Sequence, residues 1–165
     1  ASLYVIHSDR SWERKVFDVG LSNGIGFSPD QTVMYYTDSL AREIWAFDFD
    51  AESAAISNRR VFAADAHCSP DGLTVDAEGY VWSAKWNGWR VVRYAPDGRV
   101  DRVVELPVQC PTSVAFGSAG LDQLFITSAR RGLKASALER GPLAGRLLVL
   151  DEPGATGQAE AEAQV

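Results

Sequence analysis

A repeat runs through this chain three times, and a repeat constrains a fold more tightly than composition does. Its first copy reads Ser22-Asn23-Gly24-Ile25-Gly26-Phe27-Ser28, a Pro29-Asp30 turn, Val33 to Asp38, then Ile44 to Asp48. The second reads Pro70-Asp71-Gly72-Leu73-Thr74-Val75-Asp76, a turn at Ala77-Glu78-Gly79, Tyr80 to Ala84, then Arg90 to Tyr94. The third reads Pro111-Thr112-Ser113-Val114-Ala115-Phe116-Gly117, a Gly/Asp turn, Gln123 to Ser128, then Arg146 to Leu150. Asn23 and Asp71 lie 48 positions apart, and Asp71 and Thr112 lie 41 apart. Both spacings match the roughly 40–50 residues of a four-stranded propeller blade. Within each copy, short β-branched and aromatic runs alternate with Gly, Asp, Asn or Pro turns, the pattern of strands joined by hairpins. The fold class read from this is all-β, assembled from propeller blades.

Blade boundaries follow from the repeat. Residues 1–20 supply the last two strands of an incomplete blade, Leu3–His7 and Lys15–Val19. Residues 21–66 and 67–108 read as complete blades, closed by fourth strands from Ser57 to Ala64 and from Val100 to Leu106. Residues 109–150 read as a blade lacking its final strand, with a short helical insertion at Lys134 to Glu139. Residues 151–165 are rich in Gly, Ala, Glu and Gln, carry no strand signal, and are expected to form a flexible tail. The chain thus covers about three and a half blades. An open half-ring would leave unpaired sheet edges, which soluble proteins avoid. The apolar run Leu3-Tyr4-Val5-Ile6 also starts almost at once after Ala1. The expectation is a piece of a larger propeller.

Charge narrows the partners. Sixteen Lys and Arg against 22 Asp and Glu leave a net charge of -6, and the closest basic runs are the pairs Arg59-Arg60 and Arg130-Arg131. A nucleic-acid partner needs a basic face, so none is expected. No stretch approaches the roughly 18 apolar residues that cross a bilayer, and no signal peptide opens the chain. A cytoplasmic protein with no membrane partner is the default. Cys68 and Cys110, 42 positions apart, form neither a disulfide framework nor a CxxC metal knot.

The repeat also marks a site. In a propeller the innermost strand of each blade lines the central channel. Asn23, Asp71 and Thr112 share one repeat position, at the start of three successive inner strands, and so come side by side on one face. An amide oxygen and a carboxylate converging there form part of a hard-oxygen cage for Ca²⁺, Mg²⁺ or Mn²⁺, and Zn²⁺ also accepts carboxylate. Gly24 and Gly72 follow directly and would let the backbone turn tightly beside a ligand. Asn-Gly and Asp-Gly are equally the commonest turn dipeptides, most of which bind nothing. Spacing alone leaves both readings open.

The strings SNGIGFSPD, YYTDS, ISNRR, PDGLTVDAEGYVWSAKWNGWRVVRY, ELP and PTSVAFG, then LFITSAR, resemble the gluconolactonase/SMP-30 (regucalcin) family in order and spacing. The likeness runs from about Leu3 to Asp151. It implies a six-bladed β-propeller with one divalent cation (Ca, Zn, Mn or Mg) on its axis. It also implies hydrolysis of sugar (aldono-) lactones by a metal-activated water. The family's SNG asparagine and PDG aspartate correspond to Asn23 and Asp71, with Asp71 both ligand and catalytic general base. The family's other two ligands, a Glu and an Asn, have no counterpart here. Glu13 is read as lying in a strand-connecting turn, away from any inner-strand start.

Antiparallel pairing returns the ends of the second strands to the same face. Asp38-Ser39, Lys85-Trp86-Asn87 and Ser128 to Arg130 therefore fall around the pocket rim. Thr112, Asp38, Lys85, Trp86, Asn87 and Arg130 are the candidate substrate contacts. Lys85 or Arg130 would suit a hydroxyl or carboxylate, although each could instead pair with a surface acid. Trp86 and Trp89 would stack on a sugar or simply pack in the blade. His7 falls on a leftover strand, and His67 reads as a solvated loop residue. Cys68 and Cys110 occupy corresponding loops of neighbouring blades, where free buried thiols suit a cytoplasmic protein better than a disulfide. Two other readings remain: a non-catalytic binding or scaffold propeller, and a half-ring completed by the missing N-terminal half or by a second copy.

Overall fold

The structure is a computed structural model that describes residues 1–159. Strands β1 (Leu3–Ile6) and β2 (Trp12–Val16) form an antiparallel hairpin. Its turn is held by the Asp9 carboxylate, which accepts hydrogen bonds from the Ser11 N–H at 2.9 Å and hydroxyl at 2.6 Å. Then come two four-stranded antiparallel meanders, each paired in chain order. The first contains β3 (Ser22–Phe27), β4 (Val33–Asp38), β5 (Glu43–Asp50) and β6 (Ala55–Ala64). The second contains β7 (Ser69–Val75), β8 (Val81–Trp86), β9 (Arg90–Tyr94) and β10 (Val100–Glu105). A three-stranded sheet follows, of β11 (Pro111–Gly117), β12 (Gln123–Ser128) and β13 (Leu148–Leu150). The short helix α1 (Ala135–Arg140) is inserted between β12 and β13.

The core explains why the middle strands read as almost unbroken apolar runs. Side chains alternate between the two faces of a strand, and in the first two blades both faces are covered. From the first meander, Tyr35, Ile44 and Ala46 face Leu73, Val75, Val81 and Val92 of the second. Their neighbours Met34, Tyr36, Trp45 and Phe47 face the opposite way, onto Val16 and Val19 beside the hairpin. Trp82, Ala84 and Val91 in turn meet Val114, Leu124 and Ile126 of the third sheet. The outer strands β6 and β10 are mostly exposed, although Phe62 of β6 packs on the Tyr94 ring of the second blade at 6.0 Å between centroids. Blades stacked face to face, with inner strands β3, β7 and β11 as neighbours, make a partial β-propeller.

One buried ionic device ties the second blade together. The Asp76 carboxylate, wholly buried, accepts hydrogen bonds from the Glu78 and Tyr80 N–H groups at 3.0 Å each, closing the β7–β8 turn. Its other oxygen accepts from Trp82 Nε1 at 2.8 Å and from Arg93 Nε and Nη2 at 2.9 and 2.7 Å. Arg93 also pairs with Glu78 and Asp101 and lies over the Tyr80 ring, 3.7 Å from its centroid. Every lone pair of that carboxylate has a donor, the condition under which a buried charge is tolerated. The stretch from Asp76 to Trp82 within the second repeat is thus structural.

Two local expectations change. The hairpin's second strand is Trp12–Val16, so Glu13 lies within a strand, paired with Lys15 at 2.7 Å. Residues 151–159 do not trail free. The Ala77 N–H donates to Thr156 O at 2.9 Å, Gly157 bridges Asp76, and Gln158 Nε2 donates to Phe27 O at 2.9 Å. Gly157 fits because a Cβ there would lie 2.3 Å from that of Phe116. The remainder of the expected tail, 160–165, lies outside the described residues.

Candidate functional site

The site begins with two glycines. A Cβ on Gly24 would come within 2.5 Å of Leu73 N, and one on Gly72 within 2.3 Å of Ser113 Oγ. Neither glycine has a left-handed φ. They are needed because inner strands of neighbouring blades touch backbone to backbone, and not, as the sequence suggested, for a tight turn. That close approach brings the residues preceding them, Asn23 and Asp71, into contact.

Asp71 is half-buried, and its carboxylate is hydrogen-bonded by the Asn23 side chain and the Gly72 N–H. Burial pushes the Asp71 carboxyl up to about 6 from an ordinary 3.8, against the opposing pull of those two donors. Asn23 Nδ2 also donates to Ser39 Oγ at 3.2 Å, and Ser39 Oγ donates to Pro70 O at 2.7 Å. Buried Ser39, at the end of β4, thereby fixes the Asn23 amide against the residue preceding Asp71. A carboxylate and an amide oxygen are a hard-oxygen donor pair, suited to part of a divalent-cation shell. Among the described residues there is no cluster of three or more His, Cys, Asp and Glu that could hold a metal.

The other candidates separate by what their polar atoms touch. Thr112 is half-buried at the start of β11 and shares a 2.7 Å hydrogen bond with the Thr127 hydroxyl. Asp38 is a correction: its carboxylate accepts N–H bonds from Gly20, Leu21, Leu40 and Ala41 at 2.7 to 3.2 Å, closing the loops around β4. Lys85 is another. It is wholly buried, 2.7 Å from Asp65 and 4.8 Å from the Tyr94 ring centroid. Burial pulls its ammonium below the ordinary range despite Asp65. Both blade faces are covered at that level, so Lys85 points into the stack and not toward the rim. Arg130 is exposed, and its aliphatic stem lies against Gly145.

Trp86 and Asn87 do reach open space. With Gln109 and the segment from Arg131 to Arg140 they line a cleft of about 460 Å³. Asn87 Oδ1 is held by Gln109 Nε2 at 3.0 Å and Cys110 Sγ at 3.3 Å. Cys68 and Cys110 are free and buried, and burial raises both thiols. His67 is exposed in its loop, and His7 closes the β1–β2 turn by a 2.9 Å bond from its N–H to Ser11 O.

The sequence profile of the SMP-30/gluconolactonase/LRE-like region matches residues 1–130. The chain belongs to this family. It is 38% identical to regucalcin of Oryctolagus cuniculus over 159 residues, covering 94% of this chain and 53% of that protein. It is 39% identical to a pentonolactonase of Haloferax volcanii over 153 residues, covering 89% of this chain and 52% of the relative. A crystal structure of a calcium-binding regucalcin from Agrobacterium tumefaciens superposes with a TM-score of 0.92 at 28% identity. That superposition covers 99% of this chain and 56% of the other. The chain therefore spans about half the length of the curated relatives it matches. Sequence reasoning placed Ser39 on the rim but passed over it as the clamp on Asn23. Its only signal was its place beside Asp38 at a strand end. The cationic side of the cleft was missed as well, although four basic residues crowd the helical insertion.

Proposed function

We propose that Asn23 and Asp71 form part of the hydrolytic site of a sugar-lactone hydrolase. The observation carrying this reading is the Asp71 carboxyl. It is half-buried at the start of an inner strand and bonded to the Asn23 side chain, which sets a carboxylate and an amide side by side. Asn23 Oδ1 and the Asp71 carboxylate would hold a divalent cation, which when bound supplies Lewis-acid polarisation of the lactone carbonyl. Two donors are fewer than the six to eight oxygens such a cation takes; in this reading, groups outside this chain, water and substrate complete the shell. Asp71 accepts a proton from the water that attacks the ring carbonyl carbon. It returns that proton to the ring oxygen as the ring C–O bond breaks, leaving the open-chain hydroxy acid. Ser39 holds Asn23 in place throughout. A lactonase profile and pentonolactonase and gluconolactonase relatives support this substrate class.

Free buried thiols suit a cytoplasmic setting, and among the described residues no helix is long and apolar enough to cross a membrane. The test is acid release from an aldonolactone by the full chain supplied with Ca²⁺, Mn²⁺ or Zn²⁺. Asp71→Ala should lower the rate about 10²–10⁴-fold. Full activity in Asp71→Ala overturns the reading, and hydrolysis at the spontaneous rate by the wild type overturns it for this chain acting alone. A second reading has its own observation: Ile6, Trp12 and Phe17 around the hairpin are 73, 70 and 58% exposed. A second copy covering that apolar face would close a ring. Light scattering at twice the monomer mass supports it, and a clean monomer excludes it.

A further inference from the structure

The cleft of about 460 Å³ lies between the second and third blades, and its Asn87 bonds Cys110, a thiol within reach of the Asp71 charge. Pairing of Ser69 with Trp86 brings its near wall beside the start of β7, two residues ahead of Asp71. Pairing of Pro111 with Ser128 brings its far wall beside the start of β11, where the insertion departs. The near wall is Trp86, Asn87 and Gln109; the far wall carries Arg131, Lys134 and Arg140.

That far wall runs against the charge of the whole molecule. The chain carries -6, yet residues 130–145 contain four basic side chains and one acid, Glu139. Among the described residues, Arg131, Lys134 and Arg140 take part in no ion pair. Arg140 is steadied over the Trp89 ring, 4.8 Å from its centroid. Three uncompensated cations facing one cavity attract an anion, and the cavity's concave walls strengthen that field. Trp86, Asn87 and Gln109 also line the cleft, and the Asn87 Nδ2 and Gln109 Oε1 atoms left over from their mutual bond suit hydroxyls. The volume falls in the range of small-molecule sites. An uncharged sugar lactone would leave the cationic wall without a partner.

We infer that this cleft binds an anionic group at the far end of a sugar lactone or sugar acid whose reacting end sits at Asp71. The group is a phosphate ester or a second carboxylate. The inference rests on the sugar-lactone reading of the Asn23–Asp71 site, and it makes doubly anionic sugar acids better ligands than singly anionic ones.

Isothermal titration of the full chain with gluconate, glucarate, gluconate 6-phosphate and inorganic phosphate tests it. At low salt, the phosphate ester or the dicarboxylate should bind about tenfold tighter than gluconate, and the advantage should shrink as salt rises. Which arm gains identifies the anion. Arg131→Gln with Lys134→Gln should abolish the advantage while leaving gluconate binding and the melting temperature unchanged, since both side chains are exposed. Arg140→Gln alone should weaken it. Equal affinity for all three sugar acids overturns the inference, as does an advantage that survives the double variant. Inorganic phosphate binding as tightly as the sugar phosphate overturns the sugar part, and no binding by any probe overturns the whole. Lactone hydrolysis abolished by Asp71→Asn, measured separately, shows whether the parent reading stands when the cleft fails.

Discussion

Replacing Asp71 by Asn should make the cation-free protein more stable at neutral pH. The Asp71 carboxyl is raised to about 6 in the fold from 3.8, chiefly by burial. A raised folded value means that the folded state holds its proton more tightly than the unfolded chain does. Below about pH 4 both states are protonated and the residue costs nothing. Between about pH 4 and 6 the cost grows as the unfolded carboxyl ionises first, and above about pH 6 it is fully present. Two pH units at 1.36 kcal/mol each give about 3 kcal/mol as an upper bound. Asp71 is only half-buried and solvent screens it, so about 1–2 kcal/mol is the working figure. For a chain of this size that is a gain of about 2–8 °C in melting temperature. Asn keeps the shape and can still accept the Gly72 N–H bond. The assay is thermal or urea unfolding of both proteins in chelator at pH 7.5 and pH 4. The variant should be more stable at pH 7.5, equal at pH 4, and inactive. A variant no more stable at pH 7.5, or a gain that persists at pH 4, refutes the claim that this carboxylate is held at a cost to folding.

Other substitutions report on the framework. Gly24→Ala should cost about 1–3 kcal/mol in urea unfolding, because its Cβ would meet the Leu73 N and Asp71 O backbone atoms at 2.5 and 2.8 Å; a neutral result would deny the inner-strand contact. Asp76→Ala should cost about 3–5 kcal/mol by leaving buried Arg93 and Trp82 Nε1 without their acceptor, and a small effect would deny the network's role. Lys85→Ala should likewise destabilise by about 3–5 kcal/mol through the stranded Asp65 carboxylate. It should leave KM for a lactone unchanged; a raised KM at normal stability would return Lys85 to the substrate.

Much of the fold was legible because the middle strands of the first two blades are buried on both faces. Runs such as Met34 to Thr37 and Val81 to Ala84 therefore keep their apolar character whichever way a side chain points. The repeat phase then aligned Asn23 with Asp71. What the sequence hid was direction. Asp38 and Lys85 stand at strand ends on the right face, but Asp38 turns back onto backbone N–H groups and Lys85 turns into the stack toward Asp65. Gly24 and Gly72 looked like turn formers because a one-dimensional pattern cannot show a neighbouring blade pressing on the same spot. Residues 151–159 carry no strand pattern of their own; their order comes from the Asp76, Ala77, Leu121 and Phe27 backbone groups they meet.

The central claim is that Asn23 and Asp71 act together as cation-binding groups of a lactone-hydrolysing site. Calorimetric titration of the chelator-stripped full chain with Ca²⁺, Mn²⁺ and Zn²⁺ tests it most directly, alongside Asn23→Ala and Asp71→Ala. One saturable site for at least one of these cations is expected in the wild type, weakened at least about tenfold in each variant. Binding that is absent from the wild type, or unchanged in both variants, would contradict it.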